Sequence, residues 1–414
     1  MSLRQEITKN FIYFDDARTN FQQVSTTINT TIKELKKEDE KGNDSAKVLL
    51  YLYEGLYSLI EAEKKYRSAE YSRALKEFEE ANKMINRFQR MSSGFSIEFQ
   101  QEAERLDLFI NGRIAECHAR AQNTTLSDKK PHLLEASNAY TLEAEVVEKT
   151  DKFLLAYNAL ARAQLAQGFL RKLEGEQALS TDHLRHAKRK LLDAFNHFIK
   201  AAYYNPSYTP LVTETDNMID SVMKNLIINK ANVLWKKAFE YSNVGNFLES
   251  SNASLKAAKL YERASKLEDS TKEQKKKIAH SFMLKASSFE AEGNENLKNQ
   301  NNAGLASRPF ERAAKMMKNA IEAYPQRDKE DKLYMRWEIQ EKYYQGLFEE
   351  VQGIALIDKE DFSKALPFFK NAIDYLKQAT KLLKKTDEKG FKKLIEKTLA
   401  EVNGYIGMCK TVLD

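Results

Sequence analysis

Helix breakers are scarce in this sequence. It has 14 Gly and 6 Pro in 414 residues, while good helix formers (Ala, Leu, Lys, Glu and Gln) fill most segments, which leaves little room for strands. Cysteine is almost missing. Cys117 and Cys409 are the only two, far apart and without ligand spacing, so neither a disulfide framework nor a zinc site is expected. Long apolar runs are missing too: the longest clean one, Val48 to Tyr53, is far below a spanning helix. Asp15 and Asp16 interrupt the N-terminus where a signal peptide needs an apolar core, and the expected localisation is cytoplasmic. No charge sign dominates. The 66 basic and 60 acidic residues are interleaved, as in Lys76, Glu77, Glu79, Glu80 and Lys83, which describes solvated helix faces and gives no reason to expect specific nucleic-acid binding.

At this length the chain exceeds the roughly 250–300 residues at which one compact core stops growing, so it holds several domains or one repeat array. A spacing of large residue, Ala three later, large residue four later and Ala three later recurs along it. Tyr71, Ala74, Phe78 and Ala81 fit it, as do Leu191, Ala194, Phe198 and Ala201, then Phe310, Ala313, Met317 and Ala320, then Phe362, Ala365, Phe369 and Ala372. Weaker copies are Phe247, Ser250, Ser254 and Ala257, and Leu133, Ala136 and Tyr140, the last losing its final Ala to Glu143. These positions form one stripe on a helix, with small residues admitting a neighbouring backbone and large ones filling the gaps. Gly245-Asn246 and Glu360-Asp361 supply turns and caps before two copies, and Pro206 and Pro325 close two others.

The arrangement resembles the tetratricopeptide repeat. Trp235, Ala238, Tyr241, Gly245, Phe247 and Ala257 stand at that family's spacing, with Ser250 in place of an Ala, and Gly353, Asp361, Phe362, Ala365, Phe369 and Ala372 match again. Leu356 stands where the family prefers an aromatic, and Pro367 inside that helix is a second departure, expected to kink it. The first small residue of the motif falls at 74, 136, 194, 250, 313 and 365, steps of 52 to 63 residues, against about 34 for the standard repeat. The extra length is expected in long first helices such as Ser45 to Ser68, Lys152 to Leu173 and Leu211 to Asn243. The expected fold is therefore all-α: a solenoid of about six antiparallel helix hairpins, tetratricopeptide-like, closed by a C-terminal capping helix. Its parts are an N-terminal helical extension over 1–42, the hairpin array over 43–388 and the cap over 389–414. Loops are expected at Arg90–Ser96, Asn123–Lys130, Gly175–Thr181 and Asn299–Ser307.

No Gly-rich phosphate loop occurs. Of the six histidines only His183 and His186 have helix-neighbour spacing, and with no third ligand they read as surface residues. Cys117 and His118 are adjacent on a helix and so point apart, leaving Cys117 to the core. The sequence thus offers no catalytic group, cofactor site or metal site, and the expected function is a non-enzymatic scaffold or adaptor for a peptide or protein. The resemblance implies that first helices line the binding groove, which gives Asn232, Trp235, Lys236, Phe239 and Asn243 in the fourth hairpin. The same count gives Leu59, Glu63, Tyr66 and Arg67 in the first and Glu350, Ile354 and Asp358 in the sixth. Amides there would clamp a peptide backbone and Lys236 its acidic groups. Two alternatives are a membrane-surface-binding helical crescent and a ligand-responsive regulator of the peptide-sensor type. Anionic surfaces could be met by Lys384, Lys385, Lys389, Lys392 and Lys393, while the basic run Arg185 to Lys190 winds around its helix as a solvated face.

Overall fold

A computed structural model describes residues 21–121, 125–150, 153–325, 331–384, 386 and 389–413, with the side chains of 389 and 390 outside the description. All regular structure among the described residues is helical. In chain order the α-helices are α1 Phe21–Asp39, α2 Asp44–Arg67, α3 Tyr71–Met91, α4 Ile97–Arg120, α5 Leu126–Glu148, α6 Phe153–Ser180 and α7 Leu184–Tyr204. They continue with α8 Thr209–Asn243, α9 Phe247–Ser265, α10 Thr271–Asn294, α11 Ala303–Ala323, α12 Lys332–Ile357, α13 Phe362–Leu383 and α14 Lys389–Leu413. No helix among the described residues is long and apolar enough to cross a membrane.

Polar residues at the turns start these helices by accepting from otherwise orphaned backbone N–H groups. Asn43 caps α2, Asn246 caps α9, Asn302 caps α11, Asp331 caps α12 and Asp361 caps α13, while Thr125 and Asp128 form a reciprocal capping box on α5. The turn before α9 passes through Gly245 at φ 76°, a left-handed conformation that glycine adopts without a steric penalty. Several expectations change. Leu126 to Lys130 and Ala303 to Ser307 open α5 and α11 instead of lying in loops. Residues Gly175 to Ser180 continue α6 instead of forming a loop, because Gly175 packs closely on Leu191, where a Cβ would come within 2.9 Å. Helix α13 also runs unbroken through Pro367.

Contacts divide the chain into two compact units, one ending at Val222 and the other beginning at Met223. The division falls inside α8, where the sequence shows no change of composition. In the N-terminal unit each helix from α1 to α7 packs on its chain neighbours. Ile28 and Ile32 of α1 join a core that runs through Leu59, Phe78, Phe109 and Tyr140 to Ala166. In the C-terminal unit α9 to α14 pack in the same sequential way, around a core from Ala231 of α8 through Met317, Trp337 and Phe369 to Cys409 of α14.

The repeated stripe is the buried seam of these pairs. Ala74, Phe78, Ala81, Leu191, Ala194, Phe198, Ala201, Phe310, Ala313, Met317, Ala320, Ala365, Phe369 and Ala372 all have 0% exposure. Facing them, glycines of the preceding helix bring the backbone up to the ring. A Cβ on Gly353 would lie 2.7 Å from Phe369 and one on Gly293 2.8 Å from Phe310, closer than real Cβ atoms come, and Gly112 and Gly168 meet Tyr140 and Phe198 in the same way. Ser250, at an Ala position, still fits because its hydroxyl donates to the Ala238 carbonyl at 2.8 Å. Ala365→Glu should therefore destabilise the C-terminal unit by ~3 kcal/mol or more. Lys364→Glu, on an exposed side chain paired only with Asp361, should leave the unfolding midpoint close to that of the wild type. Equal midpoints for the two variants would contradict this packing.

Candidate partner-binding surface

The C-terminal part of α8 has buried and exposed residues side by side. Ala231 belongs to the core shared with α9, and Ala238 is buried with its carbonyl accepting from Ser250 of α9. Beside this seam Asn232, Lys236, Phe239 and Asn243 share a flanking stripe, and Trp235 stands one helical turn from both Ala231 and Ala238, at the seam's edge. All five are exposed, with Trp235 at 38% and Phe239 at 66% exposure. Asn232 is positioned by Tyr261 of α9, whose hydroxyl donates to its side-chain oxygen at 2.7 Å, leaving the amide NH2 to donate outward. The turn after α8 adds exposed Val244 and Leu248, which the repeat spacing did not single out. Exposed aromatic and aliphatic groups beside amides and a cation are the composition of an interaction surface.

Counting along first helices finds a different environment in the N-terminal unit. Arg67 is exposed, with its guanidinium 4.6 Å from the Phe21 ring centroid. Tyr66, in contrast, is committed to a network inside the unit. Its hydroxyl donates to Glu116 at 2.9 Å, as does that of Tyr140. Arg113 donates to Glu116 at 2.8 Å and to Glu63 at 2.7 Å, and its guanidinium lies 4.5 Å from the Tyr66 centroid. A second buried set pairs Glu143 with Arg162 at 2.7 Å and with Arg105 at 3.2 Å. Burial alone would raise the Glu116 pKa, but Arg113 and Arg120 outweigh it and hold the carboxyl below its ordinary value. Burial and the neighbouring Glu116 push the Tyr66 phenol well above its own. Leu59 and Glu63, read from the sequence as groove positions, are core, both with 0% exposure. Here α2 buries eleven residues from Ala46 to Glu63, spread around most of its surface, so no open stripe remains.

Glu350, the sixth-hairpin groove position, is likewise buried on α12, with 5% exposure. Unlike the carboxylates of the N-terminal unit it has no arginine beside it. Burial first, then the charge of Glu401, push its pKa up to about 8, opposed only by Lys298. Glu290 on α10 is raised by burial as well, and Tyr344 donates to it at 2.8 Å. Cys117 is core as expected, and burial pushes its thiol up to about 12, away from reactivity. Of the C-terminal basic cluster, Lys384, Lys392 and Lys393 are exposed and Lys392 lies 3.9 Å from Glu396. Lys385 and the side chain of Lys389 lie outside the described residues.

No protein-family model matches the chain, and no curated protein matches it. Among solved structures it is similar to a circular tandem repeat protein with novel repeat topology and enhanced subunit contact surfaces. The identity is 12%, the match covers 99% of this chain and 96% of that chain, and the TM-score is 0.23.

Proposed function

We propose that the chain is a tetratricopeptide-like array of about six helix hairpins closed by α14, and that it serves as a non-enzymatic scaffold binding a peptide or protein on the exposed stripe of α8. The reading rests on one observation: Trp235 and Phe239 stay exposed beside Asn232, Lys236 and Asn243 on a helix that Ala231 and Ala238 anchor in the core. Large aromatics in such a place cost solubility unless a partner covers them, and aromatic anchors dominate binding energy at interfaces. The side-chain amides would hold the backbone of an extended segment, and Lys236 would meet its acidic groups. The proposal calls for no cofactor and places the chain in the cytoplasm, where Cys117 and Cys409 remain free thiols.

The test is affinity capture of the full chain from its own cell lysate at two salt concentrations, wild type beside the Trp235→Ala, Phe239→Ala double variant. A protein retained at high salt by the wild type and lost at least about tenfold by the variant is the expected outcome, since each hot-spot truncation is worth about 2 kcal/mol or more. Equal retention by the variant would remove the α8 surface from consideration. Recovery of lipid alone, lost at high salt, would favour contact through the exposed lysines instead.

A further inference from the structure

Three helices of the N-terminal unit leave a crevice where the start of α5, the end of α6 and the start of α7 come together. Its volume is about 610 Å³, within the roughly 300–1,000 Å³ of small-molecule sites. Lys130, Glu174, Thr181, His183, His186 and Lys190 all line it. The two histidines and the basic run that read as plain helix surface in the sequence are thus gathered on one cavity.

The charge around it is lopsided. Glu174 is the one carboxylate in the lining, and it receives Lys190 at 2.7 Å, Arg171 at 2.9 Å and Lys130 at 3.5 Å. Burial would raise the Glu174 pKa, but the Lys190 and Arg171 hydrogen bonds prevail and hold it at about 2. Arg189 adds a fourth cation, with Nη2 3.3 Å from Nδ1 of His186. Arginine can only donate, so that Nδ1 accepts and the ring proton of His186 is on Nε2. The His183 ring meets the Thr181 hydroxyl at 2.9 Å. His183 is also the N-cap residue of α7 and makes no side-chain capping bond, so the cap side chain does not occupy the first backbone amides of that helix. At the start of α5, by comparison, Asp128 is already engaged in its capping box.

We propose that this crevice binds a phosphate monoester dianion, held by Lys130 and Lys190, by the Nε2–H of His186 and by the first backbone amides of α7. Three cations share one carboxylate and Arg189 stands beside His186, so a second, doubly charged acceptor completes the pairing that Glu174 alone leaves unfinished. Glu174 acts as the internal competitor: it holds Lys190 and Arg171 until a stronger acceptor takes a share of them. A soluble sugar or polyol phosphate and the headgroup of phosphatidic acid present the same chemistry.

Calorimetric titration of the full chain with glycerol 2-phosphate, beside sedimentation with vesicles containing phosphatidic acid or phosphatidylglycerol, tests the site and separates the two sources. Saturable binding of the soluble ester assigns a soluble ligand. Enrichment on phosphatidic acid vesicles over phosphatidylglycerol vesicles, without soluble binding, assigns the headgroup. In whichever arm binds, Lys190→Gln should weaken affinity about tenfold, as loss of one charge-assisted hydrogen bond does, and Glu174→Gln should tighten it several-fold. Wild-type helicity and melting would show that both variants fold. No binding in either arm, or folded variants that both bind as the wild type does, would overturn the proposal.

Discussion

Arg113→Met should cost the N-terminal unit about 3–5 kcal/mol, the usual penalty for removing one side of a buried ion pair. Arg113 donates to both Glu63 and Glu116, whose exposures are 0% and 3%, and the apolar replacement leaves two carboxylates in the core with too few donors. Methionine keeps much of the volume, so the loss reports charge more than cavity. Adding Glu63→Gln to Arg113→Met should recover part of the loss, because a buried amide costs less than a buried carboxylate. The readout is denaturant unfolding followed by circular dichroism. Arg113→Met within about 1 kcal/mol of the wild type would mean that water or chain relaxation reaches these carboxylates, contrary to their burial.

The second large effect is on the C-terminal unit and has the opposite pH sense. The folded-state pKa of Glu350 is raised from 4.5 to about 8. The stability gained by keeping its proton is therefore fully present below pH 4.5, and it is lost as the pH rises towards 8. The shift corresponds to a loss on the order of 5 kcal/mol across that window. Glu350→Gln removes the titration, so the variant should gain several kcal/mol relative to the wild type at pH 9 compared with pH 5. Both tryptophans, Trp235 and Trp337, belong to the unit that begins at Met223, so tryptophan fluorescence, excited at the red edge where tyrosine does not absorb, follows this unit alone. A difference between variant and wild type that is the same at both pH values would show that Glu350 finds water or a partner. Glu116 works the other way: its pKa is lowered, so its contribution holds above the unfolded value and is lost as the pH falls through the folded one. Mild alkali should thus weaken the C-terminal unit while acid weakens the N-terminal one.

The second helices were legible in the sequence because each buries a single face. Their Ala and aromatic positions keep the 3.6-residue period, and the structure buries them: Ala136, Ala194, Ala313 and Ala365 reach 0% exposure. Ala238 of α8, the small residue from which the groove positions are counted, is buried too. Other first helices resisted. α2, α4 and α12 bury residues around most of their circumference, as with Leu50, Leu52, Tyr53 and Leu56 of α2, so the period that would separate core from surface is lost. Counting from a small residue then placed Leu59, Glu63 and Glu350 outside when they are inside. Buried ion pairs were illegible for a related reason. Glu143 replaces an Ala of the stripe and is matched by Arg162 and Arg105, but a Glu among Lys and Arg looks the same in sequence whether its partner is an arginine or water. The crevice lined by His183 and Lys190 needed three helix ends brought together, and the ends of helices are where sequence periodicity says least.

The glycine-to-ring contacts also bear on how such a chain can change length. One residue inserted in a helix turns everything beyond it by about 100° and advances it about 1.5 Å. Between the seam and Gly112 or Gly353, that would swing a side chain into the space the Tyr140 or Phe369 ring fills. Each such pair behaves like a key in its keyway: the helices cannot creep past one another by a residue, and growth or loss of sequence is tolerated only beyond the keyed stretch, at helix ends and turns. The uneven steps between successive motifs, 52 to 63 residues between 74 and 365, follow from that rule, with lengths drifting at the ends while the rings and glycines keep the seams they join in register.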